Sequence, residues 1–257
     1  MGIGTLINHR LPAAFVKHIF GSGVGYGTLP AVDERFIIHA LRGPLSANAL
    51  KVSPTLAITD AAVLVRLFSP LRPPSHIRCG FIPHNDSLEN FDWSRVCELA
   101  GIRFISCQWE VDRVLQAMGA CEVLLCEAMH GAIIADTLRI PWIPISLYDD
   151  VLTFKWEDWL ASLNMHYQPH RIQALYSDNV LPLKNRLKAK TKRLLKQSGI
   201  WQNDWTPPPP PATGERELHL AADKLRKLSA QEGNLSDDAT ISRHLERYQE
   251  LLHKLSR

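Results

Sequence analysis

The sequence predicts an α/β protein with parallel sheets. Between positions 76 and 147, apolar segments of strand length alternate with segments whose apolar residues repeat at helical spacing. Polar or ionisable residues follow the ends of several of these strands. The 257-residue chain is also 46% hydrophobic, which is enough to bury a core in one large or two small domains. This alternation indicates sheets covered by helices on both faces.

In the first part of the chain, the pattern predicts two strands and two helices. A strand is expected over residues 36–41, and a helix begins at Pro44 and runs through Leu50, because proline suits the first helical turn. A second strand is expected over residues 56–60, followed by a helix over residues 61–68.

After a proline-rich break at residues 69–74, the alternation starts again. The expected elements, in order, are a strand at 76–82, a loop at 83–86, a helix at 93–100, a strand at 102–106, a helix at 111–118, a strand at 123–125, a helix beginning at His130, and a strand at 142–147. Residues 121–145 therefore form one strand-loop-helix-strand unit. The aromatic stretch that follows it is predicted to be irregular.

Four regions follow from this reading. Residues 1–74 form an N-terminal α/β half, and residues 75–200 form a C-terminal half that ends in a helix over about 180–197. Residues 201–214 are a proline-rich linker, stiff and extended at its five consecutive prolines. Residues 215–257 form a helical tail, with these residues expected on one side: Leu245, Tyr248, Leu252 and Leu255.

Composition excludes several classes of protein. No apolar run approaches the roughly 18 residues of a membrane span, and the N-terminus lacks the order of a signal peptide, so a cytoplasmic location is expected. The five cysteines include no C-x-x-C pair and are interpreted as reduced core thiols. The eleven histidines are scattered without ligand spacing, so no metal and no cofactor are predicted.

The net charge of +3 is unevenly distributed. The helix at 180–197 carries seven basic residues and no acidic one between positions 184 and 196: Lys184, Arg186, Lys188, Lys190, Lys192, Arg193 and Lys196. Such a helix either rests on an anionic membrane surface or simply exposes a solvated face. Nucleic acid is not expected as a partner, because no stacking aromatics or recognition helix accompany the charge.

Four residues that follow predicted strands are candidates for chemistry. His130 and Gly131 stand where a helix begins, and a helix N-terminus attracts anions. Arg42, Asp60 and His84 also follow strands, at the edge where open α/β sheets bind ligands. Together they suggest a cleft between two halves. The alternative for His130 is a role in the turn or helix cap, and Asp60 suits an N-cap.

The segment from Gly21 to Gly27 contains alternating glycines, among them Gly23 and Gly25. Such a loop allows backbone N–H groups to approach a phosphate or a sugar, or is merely flexible. Its spacing is not the dinucleotide-binding G-x-G-x-x-G.

The helix start at His130 resembles a known signature. The segment AMHGAIIAD at residues 128–136, followed by Ile140 and Pro141, is similar to the Ser-Leu-His-Gly helix of the polysaccharide pyruvyl transferases, especially the succinoglycan-type ketal-forming members. Further segments match in order, at residues 21–27, 42–46, 58–60 and 80–84, so the resemblance covers roughly residues 2–145.

The resemblance implies two Rossmann-like halves similar to GT-B glycosyltransferases. It also implies transfer of a pyruvyl group from phosphoenolpyruvate to a free or lipid-linked sugar of an exopolysaccharide, giving a pyruvate ketal, in the cytoplasm or at the inner face of the membrane. We expect Arg42, Gly131, Gly23 and Gly25 to hold substrate and His130 to deliver a proton. Either Asp60 or His84 would accept the hydroxyl proton.

Two departures from the family pattern stand out. Members usually carry a strand and a Gly-Asp loop ahead of the region that matches Met1, so the resemblance implies an incomplete first half. The serines of the signature are replaced by Glu127 and Ala128, and a carboxylate beside an anion site is unfavourable unless it points away or is paired. A nucleotide-sugar glycosyltransferase and a non-catalytic component of a polysaccharide assembly complex are the alternative functions.

Overall fold

The computed structural model describes residues 1–68, 76–149, 152–178 and 210–256, with a few isolated positions between 187 and 194. Within these ranges the chain forms two parallel sheets. The larger has five strands in the order β4-β3-β5-β6-β7, and the smaller pairs β1 with β2. The predicted α/β class and its parallel strands are therefore confirmed. A second Rossmann-like half stays a prediction, because the smaller sheet has two strands.

The strands and helices follow each other in chain order. The strands are β1 Lys17–Phe20, β2 Phe36–Ala40, β3 Ile77–Ile82, β4 Arg103–Phe104, β5 Cys121–Cys126, β6 Trp142–Ser146 and β7 His170–Arg171. The α-helices described are α1 Pro44–Ala49, α2 Asn85–Asn90, α3 Trp93–Ala100, α4 Val111–Gly119, α5 Met129–Thr137, α6 Thr153–Ser162, α7 Glu215–Ser229 and α8 Asp238–Leu255. Two 3₁₀ helices lie at Pro54–Leu56 and Ala61–Leu67.

The large sheet has an apolar core on each face. Because side chains alternate along a strand, Val123 and Leu125 of β5 point to one face and Leu124 and Cys126 to the other. Helices α3 and α7 cover the first face. Helices α4, α5, α6 and α8 contribute to the second core. Both faces are thus buried, as a parallel sheet requires.

The small sheet has a core of its own. Its two strands pair from Lys17 opposite Phe36 to Ile19 opposite Ile38, and the register then shifts, so that Phe20 lies opposite Ala40. Buried Ile19 and Leu41 pack with residues of α1 and of the glycine-rich loop, including Ala47 and Val24. The predicted strand at 56–60 is not formed, and Ala57 makes a single parallel bridge to Leu41 instead.

Helix α6 connects the small sheet to the large one. Trp156 and Trp159 are buried against Trp142 at the start of β6, with ring centroids 6.2 and 5.4 Å away. On the same helix, Asp158 reaches the end of β2 and the start of α1. The predicted irregular aromatic stretch is therefore wrong for residues 153–162.

The region predicted as a helical tail contains two helices, α7 and α8, and both belong to the folded core. Leu225 of α7 is fully buried on the large sheet, and α8 packs against the 3₁₀ helix Ala61–Leu67. The buried face of α8 carries Ile241, His244 and Tyr248. Leu252 and Leu255, which the pattern placed on that face with Tyr248, are exposed, so that part of the prediction is wrong.

Other expectations are met in part. Helices α3 and α4 and strands β2, β3 and β6 lie where the pattern placed them, but the predicted loop at 83–86 is wrong for its last two residues, because α2 begins at Asn85. All five cysteines are free; four are buried and Cys107 is exposed. In the described ranges no helix is both long and apolar enough to cross a membrane. The proline-rich break, most of the basic helix and most of the proline-rich linker lie outside the described residues.

Candidate functional site

The carboxyl ends of β3 and β5 lie side by side at the point where the strand order of the large sheet reverses. From β3 the chain passes through α2 and α3 to β4 on one side, then through α4 to β5 on the other side of β3. In doubly wound sheets, ligands bind in the crevice at such a switch point. His84 follows β3, and Glu127 and His130 follow β5. The sheet topology therefore brings these three residues to one crevice.

The start of α5 is fixed to the end of β3. The backbone N–H groups of Glu127 and Ala128 both donate to the carbonyl oxygen of Ile82, at 3.0 and 3.2 Å. Ala128 is the N-cap and has no side chain to satisfy the first helical turn. The N–H groups of that turn therefore face the crevice without an intrahelical acceptor. His130 and Gly131 lie in this turn.

His130 faces a buried carboxylate. Its Nε2 atom lies 3.6 Å from Oδ2 of Asp60, which is longer than a hydrogen bond. Both atoms are buried, and neither has a hydrogen-bond partner. The His130 side chain as a whole is 39% exposed, so its exposure lies on atoms other than Nε2. The arrangement orients the imidazole with one nitrogen toward Asp60 and the other available to the crevice.

Asp60 is held in place by its second oxygen. Its Oδ1 accepts a hydrogen bond of 2.9 Å from the backbone N–H of Ala62 and caps the 3₁₀ helix Ala61–Leu67, so the predicted N-cap is confirmed. Beside it, the Tyr248 hydroxyl donates to the carbonyl of Thr59 at 2.6 Å. Burial, with the nearby charge of Asp60, raises the pKa of Tyr248 well above its ordinary value. Tyr248, which lies on α8, therefore stays neutral and donates this hydrogen bond.

His84 stands at the N-cap of α2. Its Nδ1 accepts from the backbone N–H of Asp86 at 3.3 Å, which fixes the ring at the mouth of the crevice. Burial, then the positive charge of Lys155, lowers the pKa of His84 below its usual value, and His130 acts in the same direction. His84 is therefore a neutral imidazole near pH 7.

Glu127 is turned away from the helix terminus. One carboxylate oxygen accepts from the backbone N–H of His84 at 2.7 Å. The side chain is 2% exposed, and burial raises the pKa of its carboxyl group, although hydrogen bonds from Ser87 and the backbone oppose that shift. The sequence analysis expected the Glu127 carboxylate to be unfavourable beside an anion site. The loop after β3 stabilises it by a hydrogen bond from the backbone.

Two of these groups, His84 and Glu127, line a cavity of about 110 Å³, whereas His130 and Asp60 are not among its lining residues. It lies between the glycine-rich loop, α6 and the carboxyl ends of β3, β5 and β6, and its lining residues are Tyr26, His84, Asp86, Ser87, Asn90, Glu127, Tyr148 and Lys155. The sequence reading missed Lys155 and Tyr26. A signal existed for Lys155, because residues 153–162 contain apolar residues at helical spacing around it.

Arg42 does not face this cavity. Its side chain is fully buried, and its guanidinium donates to Asp158 Oδ2 at 2.9 Å, to Thr5 Oγ1 at 2.8 Å and to the Val24 carbonyl at 2.8 Å. The geometry favours a structural role, and direct contact of Arg42 with substrate stays a prediction.

The three glycines predicted to bind substrate are all close to other side chains. A Cβ at Gly23 would overlap the Arg42 guanidinium, and a Cβ at Gly131 would lie 3.2 Å from Ile82 Cδ1. Gly25 has a φ of +153°, a value that favours glycine. Gly23 and Gly131 thus permit close packing, and the glycine-rich loop presents Tyr26 to the cavity.

The fold and the crevice define an α/β protein with a histidine–carboxylate pair at a switch point. Over 176 residues the chain is 37% identical to the succinoglycan biosynthesis protein ExoV of Rhizobium meliloti (strain 1021), which indicates homology. The match covers 67% of this chain and 56% of that protein, so the chain spans just over half the length of its relative. No known family profile matches the chain, and no solved structure matches it.

Proposed function

We propose that the chain acts in exopolysaccharide biosynthesis by transferring the pyruvyl group of phosphoenolpyruvate to a sugar, with formation of a pyruvate ketal. The relative named for succinoglycan biosynthesis supports the process. The resemblance of the helix start at residues 128–136 to the pyruvyl transferase signature supports the reaction. The observation that carries the proposal is the buried approach of His130 Nε2 to Asp60 Oδ2 at a sheet edge suited to an anion.

His130 is the general acid in this proposal. Asp60 faces Nε2 and orients the ring, so that Nδ1 is the atom from which the proton passes to the substrate. The 3.6 Å separation of Nε2 and Oδ2 in the free protein is compatible with this role, since such contacts often tighten only when substrate is bound. The first turn of α5 offers N–H groups to the phosphate.

The reaction balances as follows. The proton from His130 adds to the methylene carbon of phosphoenolpyruvate, and a sugar hydroxyl attacks the adjacent carbon, which becomes tetrahedral. A second hydroxyl of the same sugar then displaces inorganic phosphate and closes the ketal ring. One of the two hydroxyl protons replaces the proton that His130 gave, and the other leaves with the phosphate.

The geometry favours His84 over Asp60 as the base that accepts the hydroxyl proton. His84 is neutral near pH 7, lines the cavity and is partly exposed. Asp60 is fully buried, and its two oxygens face Ala62 and His130. Asp60 is therefore a positioning residue that acts through His130.

Three finer elements of the proposal rest on the sequence alone. They are two Rossmann-like halves similar to GT-B enzymes, a lipid-linked acceptor, and contact of the basic segment at 184–196 with an anionic membrane. Each stays a prediction.

The test is acceptor-dependent release of phosphate from phosphoenolpyruvate, measured with a panel of free and lipid-linked sugars. We expect release by the wild-type chain, and a loss of about 10²–10⁴-fold in kcat for His130→Ala. His219→Ala is the matched control, because His219 is exposed on α7. Uridine nucleotides serve as competing ligands.

Loss of release in His130→Ala but not in His219→Ala supports the proposal. Absence of release from folded wild-type chain, together with binding of a uridine nucleotide, contradicts it in favour of glycosyl transfer.

A further inference from the structure

Lys155 is a buried lysine with no acidic partner among the described residues. Its side chain lies on α6 and is 8% exposed, and Nζ makes a hydrogen bond of 3.3 Å to the Tyr26 hydroxyl. Within the described ranges no carboxylate lies within 4.0 Å of Nζ. Burying an ammonium group is costly unless an anion accompanies it. Glu127 lines the same cavity and feels the charge of Lys155, but it forms no ion pair with Nζ, so the ammonium group has room for an anion from outside the chain.

The space beside Lys155 is small. The cavity of about 110 Å³ has room for about four water molecules, at roughly 30 Å³ each. Besides the ammonium group, its walls carry two donors, the Tyr26 hydroxyl and the Asn90 amide, whose second N–H remains after the one that donates to the Asp86 carbonyl. A group of a few heavy atoms with several acceptors fits these walls, and a whole nucleotide or sugar does not.

The charges around the cavity favour a single negative charge over two. His84 is uncharged near pH 7, because burial lowers its pKa. Glu127 lines the same cavity, and its charged form is disfavoured, because burial raises its pKa. Asp86 also lines it, with a side chain that is 79% exposed to solvent. Against these groups a carboxylate is better matched to Lys155 than a phosphate dianion.

We propose that Lys155 and Tyr26 form the subsite for the carboxylate of the pyruvyl donor. This inference rests on the proposed function and deepens it, since it divides the donor's charges between two places. The carboxylate lies against α6 and the glycine-rich loop, and the phosphate lies at the first turn of α5. The carbon between them is then placed between His84, which follows β3, and His130, which lies in the first turn of α5 after β5.

This assignment predicts donor specificity. In this arrangement the donor's carboxylate is the group that contacts Lys155, so an enol phosphate without a carboxylate loses this charge-assisted hydrogen bond and binds more weakly. Because the ketal product keeps the carboxylate, the same contact also holds the product until the polymer leaves.

The test is calorimetric titration of the full chain with phosphoenolpyruvate, pyruvate, inorganic phosphate and glucuronate. Lys155→Met keeps the apolar stem and removes the charge. Tyr26→Phe removes one hydroxyl from an exposed ring and leaves folding intact. Lys224→Met is the control, because Lys224 is exposed on α7. Near-ultraviolet circular dichroism verifies that each variant is folded.

We expect Lys155→Met to weaken phosphoenolpyruvate and pyruvate about 10- to 100-fold, as for a lost hydrogen bond to a charged group, and Tyr26→Phe to weaken both less. Affinity for inorganic phosphate stays unchanged in every variant. The inference is overturned if wild type binds phosphoenolpyruvate and both variants bind it equally well, or if glucuronate alone depends on Lys155; the proposed function survives either result.

A different result distinguishes the two hypotheses in the other direction: the wild-type chain binds pyruvate through Lys155 but does not bind phosphoenolpyruvate. The carboxylate subsite is then supported, and the proposed donor is rejected. Absence of binding of all four ligands to the wild-type chain overturns both.

Discussion

Arg42 and Asp158 form an ion pair in which both side chains are fully buried, 116 residues apart in sequence. The pair joins the end of β2 to helix α6. Asp158 also accepts from the backbone N–H of Ser46 at 2.8 Å and from the Ser46 hydroxyl. An arginine that follows a strand therefore serves here to hold the small sheet against the helix that carries Lys155.

Breaking this pair is expected to destabilise the fold. Arg42→Ala leaves the buried Asp158 carboxylate without its cation, which typically lowers the free energy of unfolding by about 3–5 kcal/mol. Urea denaturation measures this change. Arg95→Ala is the control, because Arg95 pairs with Glu215 at the surface, where the two side chains are 55% and 67% exposed. Such exposed pairs contribute about 0–1 kcal/mol.

The alternative for Arg42 is direct binding of substrate. In that case Arg42→Ala would unfold at nearly the wild-type urea concentration and would lose affinity for phosphoenolpyruvate. That combination of results would contradict the structural role.

Asp60→Asn is expected to reduce catalysis without loss of the helix cap. The asparagine oxygen can still accept from Ala62 N–H, but the negative charge that faces His130 is gone. His130 then loses the charged group that orients its ring, so kcat falls, by less than the loss of about 10²–10⁴-fold expected for His130→Ala. Steady-state kinetics with phosphoenolpyruvate measures the change.

A positioning role gives Asp60→Asn a distinct signature. Affinity for phosphoenolpyruvate stays near the wild-type value, and adding Asp60→Asn to His130→Ala produces no further loss in kcat, because both act through one ring. An additive loss in the double variant would show that Asp60 acts independently of His130.

The sequence predicted the large sheet well because its strands and helices have local signals. The apolar run of β5, the helix α3 with its Asp92 cap, and the turn before His130 are each readable within a few residues. The placement of His84 and His130 in one crevice then follows from strand order. To predict a site at these residues, the general rule that ligands bind at the carboxyl ends of parallel strands was sufficient.

The other features depend on contacts distant in sequence. Whether Arg42 binds substrate or Asp158 is decided by a residue 116 positions away. Lys155 was missed because the tryptophans beside it resembled an irregular stretch, whereas they pack against Trp142. On α8 the pattern placed Tyr248 on the buried face correctly, and its hydroxyl there donates to the Thr59 carbonyl, 189 residues away, which a local pattern cannot show.

The tail is expected to contribute to stability through one buried contact. The Ser236 hydroxyl and backbone N–H both donate to the Asp136 carboxylate on α5, which also accepts from the Trp142 indole at 3.0 Å. Ser236→Ala removes one donor from a fully buried carboxylate, at a cost of about 1–3 kcal/mol. Urea denaturation tests this, with Ser256→Ala at the exposed end of α8 as control. Equal stability of the two variants would argue that the tail is not part of the core.

His244 makes the stability of the chain depend on pH. Its Nε2 lies 2.8 Å from the carbonyl oxygen of Ser162, which can only accept, so Nε2 carries the proton; Nδ1 is buried and has no partner. Burial lowers the pKa of His244, against a smaller opposing effect of the Ser162 carbonyl. The folded chain therefore binds this proton less readily than the unfolded chain, whose histidines titrate near about 6.5. The contribution of His244 to stability is therefore fully present above that pH, and it is lost as the pH falls, because the unfolded state then takes up the proton first.

We expect the melting temperature of His244→Gln to fall less between pH 8 and pH 5.5 than that of the wild type, because glutamine can still donate to Ser162 but does not titrate. His219→Gln, at an exposed position, should match the wild-type pH profile. Thermal unfolding followed by circular dichroism measures both profiles, and an unchanged pH dependence in His244→Gln would assign the effect to other histidines.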